Sequence, residues 1–223
     1  MLLLAVDTSG KHGSIALARC GPEDACEVIE VAPLSGGTFS AELVPEIAAL
    51  LDKHRFRKAD IGAFAVVSGP GSFTGLRIGL AVIKALAEVL AKPIAALSLL
   101  EALASASQAR GKIMAALDGG RNEVFVGEYE LGNESTILIR ERLLIRNEWL
   151  ESAAGAVIVT PDSALAEAAR AKGFHVVEVE RPRSEAIAKL GWTKIARAQT
   201  VSAEALEANY TGRSEAELFV KGG

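Results

Sequence analysis

The chain of 223 residues is long enough for one large domain or two small ones, and its composition, 50% hydrophobic and 23% charged, is that of a globular protein. Its net charge of −4 argues against a protein that grips nucleic acid by itself, because binding to phosphates needs clustered lysine and arginine. Its apolar runs are shorter than the roughly 18 residues of a membrane-spanning helix, so no segment is expected to cross a membrane.

The beginning of the sequence and its cysteines indicate a cytosolic protein. A secretory signal would show a basic region, a long apolar stretch and a cleavage site, and the first residues lack that pattern. Cys20 and Cys26 do not have the Cys-x-x-Cys spacing of redox motifs and metal sites. We therefore expect a cytosolic location and reduced thiols.

Apolar runs and helical periodicity predict an α/β order for the first half of the chain. Short apolar runs predict three strands that pair in succession, at Leu2–Val6, Gly13–Arg19 and Glu27–Ala32. A helix, a strand, a helix, a strand and a helix are then predicted at Ser40–His54, Ile61–Val67, Leu76–Leu90, Pro93–Leu97 and Leu99–Gln108. This order indicates a mixed sheet with flanking helices.

The second half repeats this plan. Ile113–Gly120 is again an apolar strand that ends in an aspartate and small residues, so Asp118 corresponds to Asp7. The further predicted elements are Glu123–Tyr129, Ser135–Leu144, Asn147–Ala153, Ala156–Thr160, Ser163–Ala171, His175–Glu178 and Ser184–Ala198. Such a duplication is the plan of the actin-like ATPase superfold, which is built from two ribonuclease-H-like lobes. We predict lobes at residues 1–109, with a dimerisation face, and 110–223, with a polar tail from Ala208.

The most distinctive stretch is Ser68–Gly79, which reads Ser-Gly-Pro-Gly-Ser-Phe-Thr-Gly-Leu-Arg-Ile-Gly and joins a buried strand to a long helix. Glycines around a helix N-terminus leave backbone N–H groups free to bind phosphate. The candidate nucleotide-binding residues, here and at the first strand end, are Asp7, Ser9, Gly69, Gly71, Ser72 and Gly75. The alternative is a glycine-rich turn that only lets the helix lie close to its sheet.

The spacing of this loop differs from three familiar motifs. A Walker loop has a lysine directly after its last glycine, but the first lysine here is Lys84. A dinucleotide-binding fingerprint needs a glycine where Thr74 stands and an acidic residue where Ser98 ends the next strand. A hydrolase nucleophile elbow needs a glycine in place of Pro70. The loop therefore matches none of them.

The predicted helix Leu76–Leu90 has more apolar surface than one sheet can cover. Its polar residues Arg77, Lys84 and Glu88 form one narrow stripe, so a second partner is implied. Gly75 and Gly79 would let another backbone approach closely. The predicted interface residues are Leu43, Ile47, Gly75, Ile78, Gly79, Val82, Ile83 and Leu86. The alternative is a helix that is well buried within the monomer.

The sequence leaves open which flank of this helix faces outward. One flank carries Ile78, Ala85 and Val89, and the other carries Leu80, Ile83 and Ala87. Both flanks cannot face one sheet. We expect one flank to pack in the core. The other flank, together with part of the Ser40–His54 helix, is expected to form a helix-bundle interface with a partner protein.

The sequence shows no clear set of catalytic or metal-binding residues. The histidines lack the spacing of metal ligands on one helical face, and each is expected to be an exposed or capping residue: His12, His54 and His175. Asp7 and Asp118 could hold a magnesium nucleotide in an actin-like kinase. As lone acids at strand ends, they could equally anchor their turns by hydrogen bonds.

The loop Ser68–Gly79 resembles the hallmark of the bacterial TsaB (YeaZ) proteins. The resemblance extends over most of the chain, to Met1–Ser9, Ser98–Ala104, Ala116–Val124 and Tyr210 with Ser214–Phe219. The loop is specific to the family, whereas the aspartate turn is shared by every actin-like protein. One departure is Phe39-Ser40-Ala41, where the family often has His-Ser-Glu.

The resemblance implies a non-catalytic subunit of the tRNA threonylcarbamoyladenosine machinery. In that family, the related TsaD subunit binds the metal and transfers the threonylcarbamoyl group to the adenosine 3′ of the anticodon in tRNAs reading ANN codons. The implied partners are TsaD in a heterodimer, TsaE, tRNA through the complex, and a second copy when the protein is alone. No tightly bound cofactor is implied, with ATP or ADP and the metal expected on partner subunits.

The alternative function is a small actin-like phosphotransferase. Asp7, Ser9 and the Gly69–Gly75 loop would then cradle the phosphates of ATP. The lack of a lysine and of a general base near the loop argues against this alternative, and so does the surplus apolar face. A peptidase has even less support, because no Ser-His-Asp or Cys-His set is indicated.

Overall fold

The structure of the protein, a computed structural model, describes residues 1–22, 25–132 and 136–211. The described chain forms two compact units. The first contains Met1–Ser98 and Pro182–Asn209, and the second contains Leu99–Arg181 with Tyr210 and Thr211. Each unit holds a five-stranded sheet. None of the helices in the described ranges combines the length and the apolar character that a membrane crossing requires.

The strands and helices follow the predicted order. The strands are β1 Leu2–Asp7, β2 Gly13–Cys20, β3 Cys26–Leu34, β4 Ile61–Gly69, β5 Ile94–Ser98, β6 Gly111–Gly120, β7 Glu123–Leu131, β8 Thr136–Ile145, β9 Val157–Thr160 and β10 Val176–Glu178. The α-helices are α1 Phe39–Lys53, α2 Phe73–Leu90, α3 Leu99–Ala106, α4 Arg146–Ser152, α5 Ser163–Ala171 and α6 Ser184–Ala196. A 3₁₀ turn, Lys58–Asp60, precedes β4.

The sheet of the first unit has the strand order β3-β2-β1-β4-β5. Its central strand, β1, pairs antiparallel with β2 and parallel with β4. All six residues of β1 are buried, which requires cover on both faces of the sheet. Helix α6 packs across β1, β2, β4 and β5, while α1 and α2 pack against each other and against strands of this sheet.

The sheet of the second unit repeats this arrangement, with the order β10-β9-β6-β7-β8. Strand β6 pairs antiparallel with β7 and parallel with β9, as β1 does with β2 and β4. Its core includes Trp149, Met114, Ile158 and Leu165. The predicted duplication is confirmed, and with it the α/β fold of two ribonuclease-H-like lobes, each with a mixed sheet and flanking helices.

The two units differ from the predicted lobes 1–109 and 110–223 in the placement of two helices. Helix α3 packs against β6 and β7 and belongs to the second unit, whereas α6 covers the first sheet and belongs to the first. A helix joins the sheet that its apolar face covers, and chain order alone does not choose that sheet. Most of the predicted tail from Ala208, and Ser214–Phe219, lie outside the described residues.

Candidate functional site

The candidate site begins where β1 ends and the chain turns through Asp7, Thr8 and Ser9. Oδ1 of Asp7 accepts hydrogen bonds from the backbone N–H of Ser9 at 2.8 Å and from its hydroxyl at 2.6 Å. All three residues are buried. The carboxylate therefore anchors its own turn, in the manner of an Asx turn, which is one of the two predicted roles of Asp7.

The glycine-rich loop lies directly on this turn. The backbone N–H of Ser72 donates to the carbonyl oxygen of Ser9 at 2.7 Å, and the Thr8 hydroxyl donates to the carbonyl oxygen of Gly75 at 2.7 Å. Ser72 also caps α2, because its hydroxyl accepts from the backbone N–H of Gly75 at 3.3 Å. This cap explains why α2 begins at Phe73 and not at Leu76 as predicted.

Three glycines of the loop and helix make this close approach possible. A Cβ on Gly71 would lie 2.4 Å from the Ser9 carbonyl oxygen, and one on Gly75 would lie 2.1 Å from the Thr8 carbonyl oxygen. A Cβ on Gly79 would lie 2.3 Å from Oγ1 of Thr8. Gly75 therefore admits another backbone, as expected, and Gly79 admits the Thr8 side chain, but both groups belong to the chain itself and not to a partner.

Gly69 also has a structural reason to be glycine. Its φ is +151°, and a Cβ there would lie 2.0 Å from the carbonyl oxygen of Asn209. The backbone N–H of Asn209 donates to the carbonyl oxygen of the neighbouring Ser68 at 2.8 Å. The four loop glycines thus bring chain segments into contact, which is the alternative that the sequence left open beside phosphate binding.

A pocket of about 420 Å³ lies beside the loop in the first unit. It is lined by Gly10, Lys11, His12, Gly36, Gly37, Phe39, Ser72, Thr74, Gly75 and Ile78. Lys11 and His12 were not predicted to be neighbours of this loop, although they closely follow the Asp7–Ser9 turn in the sequence. The Phe39 ring is buried against Gly13, where a Cβ would lie 2.9 Å from Cε1. This wall of the pocket is therefore apolar at the Phe39-Ser40-Ala41 departure noted in the sequence.

The second unit has a turn at Asp118 that resembles the Asp7–Ser9 turn of the first unit only in part. Oδ1 of Asp118 accepts from the backbone N–H of Gly120 at 3.1 Å, and the Asp118 backbone N–H donates to Asp162 at 2.8 Å. Asp118 is exposed, whereas Asp7 is buried. The two aspartates therefore share a turn geometry but not an environment.

The histidines lie in separate places. His12 and His175 are exposed, and Nε2 of His54 lies 2.7 Å from the carboxylate of Glu30. Hydrogen bonds from Lys53 and His54 hold the pKa of Glu30 below its usual value. Within the described residues, no three His, Cys, Asp or Glu side chains converge where they could hold a metal ion.

One flank of α2 is exposed and apolar, and the structure identifies which flank it is. Ile83 and Ala87 are buried, whereas Val89 is 81% exposed and Ala85 is exposed. On the neighbouring α1, Val44 is 57% exposed. We use the name α1–α2 face for a set of exposed or half-buried apolar side chains on these two packed helices: Val44, Ala48, Ile78, Val82, Ala85, Leu86 and Val89.

Three side chains of the predicted interface need correction. Leu43 and Ile83 are fully buried, and Ile47 is 5% exposed, so none of them is presented to a partner. They lie on the buried sides of α1 and α2. Ile78, Val82 and Leu86 are half-buried and remain predicted interface residues.

Comparison with known proteins identifies the family. The model of the family described as "TsaD: tRNA N6-adenosine threonylcarbamoyltransferase" matches residues 34–206. The chain belongs to this family. The "tRNA threonylcarbamoyladenosine biosynthesis protein TsaB" of Bacillus subtilis is 33% identical over 153 residues, 68% of this chain. The Escherichia coli protein of the same name is 31% identical over 133 residues, 58% of this chain.

A solved structure agrees with these relatives. YeaZ from Pseudomonas aeruginosa superposes with a TM-score of 0.74 at 27% identity, covering 94% of this chain and 100% of that one. The matches confirm the predicted TsaB (YeaZ) family. The matched segment spans 65% of the length of the Bacillus subtilis relative and 55% of the Escherichia coli relative.

Proposed function

We propose that this TsaB-family chain is a subunit of the machinery that makes tRNA threonylcarbamoyladenosine, and that it acts by binding a TsaD protein and not by catalysis. The names of its relatives support the pathway. The observation that carries the binding role is the α1–α2 face, with Val89 81% exposed on a helix that starts at the family's hallmark loop. Exposed apolar patches on folded proteins are typical of interaction sites.

A non-catalytic role is supported by the hydrogen bonds of the loop, because two of its backbone N–H groups already donate to acceptors within the chain. The backbone N–H groups of Ser72 and Gly75 are directed at Ser9 and at the Ser72 hydroxyl, so these two donors are already satisfied within the chain. The Asp7 carboxylate is likewise engaged with Ser9. A phosphate at this loop would have to displace these internal hydrogen bonds, each worth about 1 kcal/mol net.

A TsaD protein is a suitable partner because the chain itself matches the TsaD family model over residues 34–206. That range includes both α1 and α2, so a TsaD protein has counterparts of these helices. Two related folds can then pair through equivalent faces, in an arrangement close to two-fold symmetry. The same geometry would let two copies of this chain pair when TsaD is absent.

The rest of the proposal follows the family resemblance. TsaE joins the complex, and the tRNAs that read ANN codons are bound by the complex as a whole, which suits a chain with a net charge of −4. The metal and ATP or ADP lie on partner subunits. The location of the complex is the cytoplasm.

A phosphotransferase is the competing proposal, and one observation favours it. The pocket of about 420 Å³ places Lys11 and His12 beside the loop, where they could contact a phosphate. The purified chain alone, incubated with ATP and Mg²⁺, distinguishes the two proposals. Steady release of ADP would support the phosphotransferase, and its absence at micromolar enzyme supports the binding subunit.

The proposed function is tested by reconstitution with the TsaD protein of the same organism. We expect the two purified proteins to elute together in size-exclusion chromatography and to form threonylcarbamoyladenosine on tRNA when the remaining components of the machinery are supplied. Omission of this chain should abolish the product. Full product formation without the chain would contradict the proposal.

Asp7→Ala is expected to lower the free energy of unfolding by about 1–3 kcal/mol, because it removes the carboxylate that accepts hydrogen bonds from the buried Ser9 N–H and hydroxyl. Activity of the reconstituted complex should fall only modestly once folding is allowed for. Urea unfolding and the modification assay measure the two effects separately. A near-total loss of activity by a folded, TsaD-binding variant would make Asp7 a catalytic or nucleotide-binding residue.

A further inference from the structure

Cys20 and Cys26 face each other at the turn end of the β2–β3 hairpin, on either side of the loop that joins the two strands. Cys20 is the last residue of β2, Cys26 is the first of β3, and the two are direct partners in the antiparallel register. Both are free thiols, with their Sγ atoms 2.7 Å apart. Nothing in the proposed function uses this pair.

The backbone hydrogen bonds show which of the two kinds of antiparallel pair Cys20 and Cys26 form. The non-hydrogen-bonded kind has the closer Cα atoms. The N–H of Cys20 donates to the carbonyl oxygen of Met1 at 2.8 Å, and the amino group of Met1 donates to the carbonyl oxygen of Cys20 at 2.6 Å. Both polar groups of Cys20 therefore point to β1 and away from β3. The next residue, Gly21, donates to the Ala25 carbonyl oxygen instead. Cys20 and Cys26 thus form a non-hydrogen-bonded pair, in which Cα atoms lie about 4.5 Å apart, within the range of about 4.4–6.8 Å that disulfides span.

The two thiols differ in access and in acidity. Cys20 is 2% exposed, whereas Cys26 is half-buried. The hydrogen bond from the Cys20 thiol lowers the pKa of Cys26, and the positive charge of Lys189 acts in the same direction. That hydrogen bond and burial raise the pKa of Cys20. Cys26 is therefore the thiol that reagents reach first and the better nucleophile.

We propose that Cys20 and Cys26 are a thiol–disulfide exchange site for low-molecular-weight disulfides such as glutathione disulfide. The Cys26 thiolate attacks one sulfur of glutathione disulfide, forms a mixed disulfide and releases one glutathione thiolate. The Cys20 thiol then loses its proton and attacks Sγ of Cys26, which releases the second glutathione. Two protein thiols are oxidised to one disulfide, one glutathione disulfide is reduced to two glutathione molecules, and the two protons end on those thiols.

With this reaction, the Cys20 and Cys26 thiols are not always reduced, as the sequence predicted, but follow the redox state of glutathione. The pair is reduced when glutathione is reduced, and it closes when the glutathione pool becomes oxidised. Closure would fix the end of the β2–β3 hairpin, where Sγ of Cys26 lies 3.8 Å from the Ala188 carbonyl oxygen of α6. Because the closed loop is short, the unfolded chain is constrained only slightly, and we expect a small rise in melting temperature.

The test compares the full-length chain with Cys20→Ser and Cys26→Ser in a series of glutathione redox buffers. Samples are acid-quenched, alkylated and analysed by intact mass and peptide mapping. We expect the wild type to lose two hydrogen atoms and to hold a Cys20–Cys26 linked peptide without glutathione. Cys20→Ser should accumulate one glutathione on Cys26, because nothing resolves the mixed disulfide. Cys26→Ser should stay unmodified while folded, because Cys20 is buried.

Three outcomes would overturn the proposal. The wild type could keep two alkylatable thiols in excess glutathione disulfide, it could retain the glutathione adduct as Cys20→Ser does, or Cys26→Ser could react as fast as Cys20→Ser. If Cys20→Ser fails to fold, Cys20→Ala replaces it, because alanine adds no polar group to the buried position. Circular dichroism at the start of each reaction confirms that the variants are folded.

Discussion

Ile83→Asp is expected to unfold the protein, whereas Val89→Asp is expected to melt like the wild type and to lose TsaD. Ile83 is fully buried, so a carboxylate there would be an unpaired charge in the core, at a cost of about 3–5 kcal/mol in addition to the lost packing. That sum is a large part of the 5–15 kcal/mol that stabilises an ordinary domain. Val89 is 81% exposed, and an acid near the end of α2 costs at most about 1 kcal/mol.

Thermal melting and co-purification with TsaD measure these two effects on the same samples. Val89→Lys is the matched control for the sign of the charge, because a cation suits the C-terminal end of a helix and should leave the melting temperature unchanged. It should still weaken association, since any charge would be desolvated at an apolar interface. If both Val89 variants melt normally and bind TsaD as the wild type does, this end of α2 is not the interface.

Gly75→Ala is expected to destabilise the protein by about 3 kcal/mol, although glycine to alanine in a helix normally stabilises by about 1 kcal/mol. The added Cβ would lie 2.1 Å from the Thr8 carbonyl oxygen, which is backbone and cannot rotate away. The hydrogen bond from the Thr8 hydroxyl to the Gly75 carbonyl oxygen prevents the helix from moving outward without further loss. Urea denaturation measures the change in the free energy of unfolding.

Two other glycines provide graded controls for this substitution. A Cβ on Gly79 would meet the Thr8 side chain, which can rotate at the loss of its hydrogen bond, so Gly79→Ala should cost less than Gly75→Ala. A Cβ on Gly21 would meet nothing within 4 Å, so Gly21→Ala should change stability by less than about 0.5 kcal/mol. A Gly75→Ala variant as stable as Gly21→Ala would show that the loop does not press on the Asp7–Ser9 turn as described.

The sequence was sufficient to predict the strands, the helices and the duplicated plan. Short apolar runs such as that of β1 indicate buried strands directly, and the aspartate that follows the apolar run of both the first and the sixth strand reveals the duplication. Helix α2 starts earlier than predicted because a single side-chain cap at Ser72 decides its first residue. The placement of α3 and α6 could not be predicted, because it depends on which sheet each apolar face covers.

The candidate site was only partly predictable. A helical wheel separates the flanks of Val89 and Ile83, but which flank faces the sheet depends on how α2 approaches β4. The role of Gly75 depends on its contact with Thr8, which is 67 residues earlier in the chain. A pattern of neighbouring residues in the sequence cannot reveal a contact between positions so far apart. The cysteine pair was in principle predictable, because two strands expected to pair carry Cys20 and Cys26 at their facing ends.

The threonylcarbamoyladenosine content of tRNA in cells that lack this chain tests the central claim most directly. Nucleosides from digested tRNA are quantified by mass spectrometry in a depletion strain that expresses the wild type, Val89→Asp or no copy. We predict that the modified nucleoside falls several-fold or more without the chain, returns with the wild type, and stays low with Val89→Asp at equal protein level. An unchanged level of the modified nucleoside in the strain without any copy would contradict the account.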